Sequence, residues 1–359
     1  MRMDLESYKK GLSKYTEFII WGSGTAGKEI LSFLQDCQPR AKVYFADSNS
    51  GFWGKERHGR MVLAPDEVKK IMKDHPYSMI LIGSKANVEI MSQISRLGID
   101  GKRVDVNALG IVRNFYERDA LAVITQNGAE IEKAYQMLAD EKSKDVYEKV
   151  MRYRCTGDMS FLDGISDKEV YQYFEPGLIH LDDHEIFVDC GAYDGDTLQR
   201  FQELTDAKFS GYYLFEPDES VYKRLRQAVM KIGKSNIYIS STGCWSEKAE
   251  LHFQKSGTWS SRIDPAGDSV IPVDSLDHLL SAQVPTFIKM DIEGAELEAL
   301  KGASEIIRRY HPKLAVSIYH KLEDIFRIPL FIHGLSAHYR LYIRVYADRS
   351  DTEIVCYAI

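Results

Sequence analysis

The chain has 359 residues, 44% of them hydrophobic and 28% charged, the proportions of an ordinary globular protein and more length than one domain usually takes. A net charge of −7 (46 basic against 53 acidic residues) makes nucleic acid an unfavoured partner, and five scattered cysteines with no C-x-x-C pair suggest neither a disulfide framework nor a zinc site. No segment resembles a signal peptide or reaches transmembrane length, so the expectation is a reducing, cytoplasmic compartment with no membrane partner.

In chain order, "EFIIWG" reads as a buried strand, "AGKEILSFLQDC" as an amphipathic helix and "AKVYFAD" as a strand. "PDEVKKIMKDH" follows as a helix opened by proline, "YSMILIGS" as a strand and "ANVEIMSQISRLGI" as a helix. Strand and helix in turn imply a parallel sheet with right-handed crossovers, a first domain over 1–112. The segment 113–180 is helical in its spacing and ends in the aromatic stretch "VYQYFEPGLIHL"; it reads as a connector. A second α/β series fills 181–359. Its strands are "EIFVDCG", "GYYLFEPD", "NIYISSTGCW", "AELHFQK", "TFIKMD" and "KLAVSIYH", with helices over "DTLQRFQELT", "SVYKRLRQAVMKI", "VDSLDHLLSA" and "AELEALKGASEIIRRY". Two alternating strands joined by the polar turn Asp348 to Asp351 close the chain as an antiparallel hairpin. The fold class expected is α/β with two doubly wound domains, the second one a Rossmann-like sheet with an antiparallel end.

Two strand ends carry glycine loops, and their chemistry differs. In "FVDCGAYDGDT", Gly191 and Gly195 permit a sharp turn and a close approach by ligand. A pyrophosphate wants a helix N-terminus free of anions, whereas Asp189, Asp194 and Asp196 crowd this loop. A ligand without phosphate, carrying an amine and a sulfonium, suits it better, and S-adenosylmethionine is such a ligand. Glu216, in "LFEPD" at the next strand end, is placed to accept from both ribose hydroxyls, each such bond contributing roughly 1.5–3 kcal/mol when buried. Gly191, Tyr193, Asp194, Gly195, Thr197, Glu216 and Pro217 are the expected cofactor residues of these two loops, with Asp189. Thr242 and Gly243 follow at the third strand end, where Trp245 offers an aromatic face. At the fourth, "FIKMDIEGAELEALKG" supplies two acids, Asp291 at the strand end and Glu293 in the turn, to hold the methionine part, to orient an acceptor or to bind a metal, and Gly294 bends the chain into a helix containing Glu296. "SIYHKLEDIF" adds Tyr319, His320, Glu323 and Asp324, and His320 has the proton affinity of a general base. The catalytic candidates are therefore His320, Asp291 and Glu293. A metal held by Asp291, Glu293 and Asp324 is the alternative; no His-rich ligand set accompanies these acids, so catalysis without metal is expected first.

The four segments "FVDCGAYDGDT", "LFEPD", "FIKMDIEGAELEALKGA" and "LAVSIYHKLEDIF", in that order, resemble an FkbM-type methyltransferase over roughly 140–359. The resemblance implies a seven-stranded class I methyltransferase sheet, S-adenosylmethionine as cofactor, and methyl transfer to a hydroxyl of a sugar, glycan precursor or secondary metabolite. It also implies that Asp189, Gly191, Gly195 and Glu216 contact the cofactor, and that Asp291 and Glu293 lie where cofactor and acceptor meet.

The first loop, "FIIWGSGTAG", has the G-x-G-x-x-G spacing with Asp47 standing 23 residues after Gly24, and this region resembles the small Rossmann-type units attached to sugar-modifying enzymes. That spacing is a weak signal. A recognition role, with a nucleotide or nucleotide-sugar as ligand near Lys85 and Asn87, is preferred to a second active site. Two rival readings follow from it. One is a nicotinamide-dependent sugar oxidoreductase, which lacks a Tyr-x-x-x-Lys pair in or after the first unit; the other is a non-catalytic nucleotide-binding protein. A homo-oligomer is an open expectation.

Overall fold

The computed structural model describes residues 5–255 and 261–359. Its contacts divide the chain into two units, Met1–Asn127 with Glu148–Ile165, and Gly128–Tyr147 with Ser166–Ile359. Residues 113–180 are thus shared between the units. The helical connector expected there contains the helices Ala120–Gln126, Gly128–Gln136 and Glu141–Thr156. Among the described residues, no helix is long and apolar enough to cross a membrane.

In the first unit the strands β1 (Glu17–Trp21), β2 (Lys42–Ala46), β3 (Glu56–Arg57), β4 (Arg60–Leu63), β5 (Ser78–Ile82) and β6 (Val104–Asp105) form a sheet in the order β3-β4-β2-β1-β5-β6. All pairs are parallel except the β3–β4 hairpin. The helix Thr25–Cys37 buries Ile30, Leu31, Phe33 and Leu34, the i, i+3, i+4 stripe that its sequence shows. Gly27 explains the tightness of the first loop: a Cβ there would stand 1.9 Å from the Gly22 carbonyl oxygen.

The second unit holds a seven-stranded sheet. Its strands are β7 (Ile186–Cys190), β8 (Gly211–Phe215), β9 (Ile237–Ser240), β14 (Phe287–Met290), β15 (Lys313–Ser317), β16 (Leu341–Val345) and β17 (Ile354–Ala358), in the order β16-β17-β15-β14-β7-β8-β9. The five strands from β15 to β9 are parallel, and β17 runs antiparallel to both β15 and β16. This is the expected parallel sheet finished by an antiparallel hairpin, with the last strand inserted between its hairpin partner and β15. Strand order reverses between β7 and β14, so a crevice opens beyond their carboxyl ends. The sheet is nailed by aromatic packing, the Phe187 and Phe287 rings stacking at 4.5 Å with Phe174 edge-on to both.

A small second sheet rises between β9 and β14. It consists of β10 (Gly243–Cys244), β11 (Ala249–Gln254), β12 (Arg262–Ile263) and β13 (Ser269–Asp274), in the order β10-β13-β11-β12. Here the sequence reading is corrected twice. The helix placed over "VDSLDHLLSA" is the end of a strand and one short turn, Leu276–Leu279, because Val273 faces inward on β13 and packs with Phe253 and Ile271. The stretch "SIYHKLEDIF", treated as a polar cluster, runs into a helix, Asp324–Leu335, that tolerates Pro329 within it.

Candidate functional site

The loop after β7 is shaped by what lies beneath it. Gly191 has φ +80, and a Cβ on it would fall 1.9 Å from the Asp291 carbonyl oxygen, so only glycine fits where this loop crosses the end of β14. Tyr193 also has positive φ (46) and Gly195 has φ +91, and the helix Asp196–Leu204 starts immediately after. The backbone N–H groups of Gly191 and Ala192 donate to the Phe215 carbonyl at 3.0 and 3.1 Å, tying the loop to the end of β8.

Behind the loop sits a buried charged pair. Asp189 is wholly buried, 2.9 Å from the Lys289 Nζ, and accepts from the Tyr212 hydroxyl at 2.9 Å. Lys289, 3% exposed, donates to the Gly191 carbonyl at 2.6 Å and lies over the Tyr173 ring. Burial pushes the Asp189 carboxyl up, and Lys289 opposes it. Asp189 therefore presents no exposed surface to a ligand. It supports, through Lys289, the loop that does, which corrects its expected place as a direct cofactor contact.

Glu216 ends β8 nearly buried. Its Oε2 accepts from the Tyr193 N–H at 3.1 Å and its Oε1 from the Asp218 N–H at 2.8 Å. Burial raises its pKa to about 7, against the pull of these two N–H groups. With Gly191, Tyr193, Pro217, Gly243 and Asp291, Glu216 lines a cavity whose empty space, its open mouth included, is about 710 Å³. Its apolar wall is Phe215, Phe253, Ile263 and Ile271, largely from the small second sheet. Trp245, expected to offer a face here, packs instead into the core of that sheet. Asp194, Gly195, Thr197 and Thr242 do not line this cavity; Thr242 opens on a separate one with Lys248 and Asp274.

A second cavity adjoins on the other side of the loop, lined by Asp167, Gln172, Tyr173, Asp196, Tyr319 and Glu353 among others. Tyr193, Asp291 and Glu293 line both cavities. No Lys, Arg or His lines either one among the described residues. The sequence offers the loop "SGTWSSRIDPAGDS" and the helical connector as builders of the acceptor pocket; residues 256–260 of that loop lie outside the described residues.

The third group surrounds His320. Asp291 follows β14 and accepts from the Tyr173 hydroxyl at 2.7 Å through Oδ2. Burial works against its charge, yet His320, Lys289 and Tyr173 hold it below the ordinary carboxylate range. Glu293 and Gly294 both have positive φ, 54 and 94, and make the turn into the helix Glu296–Lys301. The His320 Nε2 lies 3.5 Å from Asp291 Oδ1 and 3.6 Å from Glu293 Oε1, while Nδ1 lies 2.9 Å from Glu296 Oε1. Burial opposes a charge on the imidazole, but Glu296, Glu293 and Asp291 raise its pKa well above the usual value. An imidazole that keeps its proton is a poor base, and His320 lines neither cavity. The structure thus gathers His320, Asp291 and Glu293 in one place but sets His320 behind the two carboxylates. Asp324 stands close by, its carboxyl pushed to about 7 by burial and by Glu296, with Oδ2 accepting from the Lys321 N–H. Tyr173 and Lys289 were not foreseen as site residues. Lys289 had a signal, a lysine one residue from the end of an otherwise apolar strand; Tyr173 had none beyond its aromatic surroundings.

In the first unit, Asp47 follows β2 and is occupied by the glycine loop. Its Oδ2 accepts from the Ser23 N–H (3.1 Å) and hydroxyl (2.6 Å), and its Oδ1 accepts from the Asn49 N–H at 3.0 Å. Gly24, Asp47, Ser84 and Lys85 line the cleft there, which Asn87 does not reach.

Residues 189–348 match the methyltransferase FkbM domain, and residues 14–105 match the C2185-like N-terminal family. The fold is that of an FkbM methyltransferase from Methylobacillus flagellatus KT, with TM-score 0.82 and 22% identity over 98% of this chain and 93% of that one. An rRNA methylase from Streptococcus thermophilus (TM-score 0.34, 16% identity, 50% of this chain and 87% of that one) and an Aeropyrum pernix fibrillarin with bound S-adenosyl-L-methionine (TM-score 0.34, 11% identity, 51% and 70%) superpose too little to bear on its function. No curated protein matches the chain.

Proposed function

From the premise that the chain belongs, through residues 189–348, to the FkbM-type methyltransferases, we propose that it is an S-adenosylmethionine-dependent O-methyltransferase acting on a hydroxyl of a sugar, glycan precursor or secondary metabolite. The observation that carries this reading is the meeting of two cavities at Tyr193, Asp291 and Glu293. The first cavity suits the cofactor: a buried carboxylate, Glu216, for the ribose hydroxyls, an apolar wall for adenine, and a turn at Gly191 that only glycine can make against the Asp291 carbonyl. When bound, the cofactor supplies an electrophilic methyl carbon on a sulfonium. The chain's part is then alignment. Tyr193 and the Gly191 turn fix one side, and Asp291 and Glu293 face the acceptor hydroxyl from the other; positioning of this kind accounts for a large share of the barrier reduction in such displacements.

The hydroxyl oxygen must lose its proton as it takes the methyl group. Glu293 and Asp291, which line both cavities, are placed to receive it; protonated His320 stabilises their charge from behind. The acceptor cavity, lined by Asp167, Glu169, Asp196, Asp348 and Glu353 as well, favours a neutral or cationic polyhydroxyl acceptor over one bearing phosphate at this point. A nucleotide or nucleotide-sugar is assigned to the cleft of the first unit as a recognition ligand. Calorimetric titration with S-adenosylmethionine, S-adenosylhomocysteine and NAD tests the reading. Micromolar binding of the first two, lost in Glu216→Ala, supports it. Heat from NAD alone would transfer the active site to the first unit and refute it.

A further inference from the structure

We propose that Asp291, Glu296 and His320 form a binding site for one divalent cation of the Mn²⁺ class, set beside the point where the two cavities meet. The role given to it below rests on the methyltransferase reading; the ligand set rests on geometry. One donor atom from each residue lies within 4.8 Å of the others. Each carboxylate has one oxygen held and one free. Asp291 Oδ2 is fixed by the Tyr173 hydroxyl and Glu296 Oε1 by the Ile292 N–H at 2.8 Å, while Asp291 Oδ1 and Glu296 Oε2 are buried without a hydrogen bond. Both ring nitrogens of His320 are likewise without one, although carboxylate oxygens stand 2.9–3.6 Å away. The Glu296 side chain is fully buried and that of His320 is 8% exposed.

Buried polar atoms left unpaired are costly and few in folded proteins, so four at one spot call for an occupant. An imidazolium alone would answer the charge, but then its N–H groups should point along the nearest oxygens, and they do not. The neighbouring cations are committed elsewhere, Lys289 to Asp189 and the Gly191 carbonyl, and Lys321 to the Gly294 carbonyl. Ligands whose second oxygen is anchored by a hydroxyl or amide donor are the usual pattern around a bound metal. Metal–ligand bonds of about 2.1 Å span donors about 3–4 Å apart, so closure asks only for small side-chain rotations. Two carboxylate oxygens with one imidazole suit Mn²⁺ or Fe²⁺ better than Ca²⁺, and the lack of thiolate speaks against a structural zinc. Asp324, by contrast, has an oxygen taken by the Lys321 N–H and lies outside the set. A cation here, with Glu293 on its cavity side, would lower the pKa of an acceptor hydroxyl and orient it. The metal-free expectation drawn from the sequence would then give way, as would Glu293 acting alone and the protonated state given to His320 above, since a metal-bound imidazole is neutral and the cation takes over its charge.

The test uses the full chain after chelator treatment and buffer exchange, titrated with Mn²⁺ while the six-line electron paramagnetic resonance signal of the free ion is followed. One ion should bind per chain. Glu296→Gln, which retains the oxygen that accepts from Ile292, and His320→Ala should each weaken binding roughly tenfold or more, the usual loss for such contacts; Asp66→Asn, an exposed acid of the first unit, should not. Circular dichroism establishes that the variants are folded. Absence of stoichiometric binding to the wild-type chain, or affinity unchanged in both site variants, would overturn the proposal. Calorimetry of the same chelated protein with S-adenosylmethionine separates the two readings: cofactor binding without Mn²⁺ binding removes the cation site and leaves the methyltransferase reading, and the reverse result leaves the site and removes its assigned role.

Discussion

Replacing Lys289 by methionine should damage both stability and cofactor binding, although its side chain lines neither cavity. Lys289 is the partner of a carboxylate with no exposed surface, and its Nζ also holds the Gly191 carbonyl at 2.6 Å. Methionine keeps the packing volume and removes the charge. Breaking one partner of a buried pair costs about 3–5 kcal/mol because the remaining charge has no compensation. Part of that cost is relieved by protonation of Asp189, whose pKa burial already raises. The sign follows: a carboxyl whose folded pKa lies above its unfolded value binds more protons when folded, so the variant gains stability as pH falls through that raised pKa. Urea unfolding at pH 8 and pH 5.5 should therefore show a larger deficit against the wild type at pH 8. Asp189→Asn combined with Lys289→Met should recover a good part of it, since a neutral amide replaces the stranded charge. Cofactor titration of the single variant should show weaker binding, because the loop carrying Gly191 has lost its tether. A deficit under about 1 kcal/mol, or a double variant no more stable than the single one, would refute the argument.

Glu216, with its pKa near 7, predicts that S-adenosylmethionine binding weakens as pH falls from 8 to 6, by up to about tenfold per unit below the pKa. Glu216→Gln should bind roughly 10–100-fold more weakly and lose most of that pH dependence; calorimetry across the pH range reads both. Gly191→Ala places a Cβ at 1.9 Å from the Asp291 carbonyl oxygen at positive φ, so cofactor binding should be abolished and the melting temperature lowered by several degrees. Tyr173→Phe removes the donor to Asp291 Oδ2. Turnover with a responsive acceptor should fall about tenfold or more while the cofactor dissociation constant stays within about twofold, a split that separates positioning of Asp291 from cofactor binding.

Much of this architecture is legible in one-dimensional patterns, and what is not has a common cause. Strand ends carrying Asp189, Glu216 and Asp291 could be placed because short, largely apolar runs meet an acid and a turn. The hairpin was readable from alternation, whereas the insertion of β17 between β15 and β16 is a matter of pairing, which alternation leaves open. The short strands β12 and β13 were missed because their polar, glycine- and proline-bearing sequence resembles a loop; only the inward faces of Ile271 and Val273 make them a sheet. Distance in sequence hid the rest. Tyr173 reaches Asp291 across 118 residues, Lys289 reaches Asp189 across 100, and neither partner announces the other.

The two glycine loops show how far spacing can mislead. Asp47 and Glu216 each stand shortly beyond a second strand, and each accepts a backbone N–H from the glycine loop before it, Ser23 to Asp47 and Tyr193 to Glu216. That shared bond fixes the loop and needs no ligand, so an acid about two dozen residues after a glycine turn is a structural brace before it is a ribose acceptor. What separates the two sites is what surrounds the brace. Around Asp47 a serine hydroxyl takes up the same oxygen. Around Glu216 the remaining lone pairs face a cavity walled by the apolar side chains of an inserted sheet, and burial holds the carboxyl near the pH at which it can switch charge. On the methyltransferase reading, the wall of Phe253, Ile263 and Ile271 selects the ligand as much as the glycines do, and exchanging it, by Phe253→Ser together with Ile271→Ser, should cost cofactor affinity while leaving the Tyr193–Glu216 bond in place.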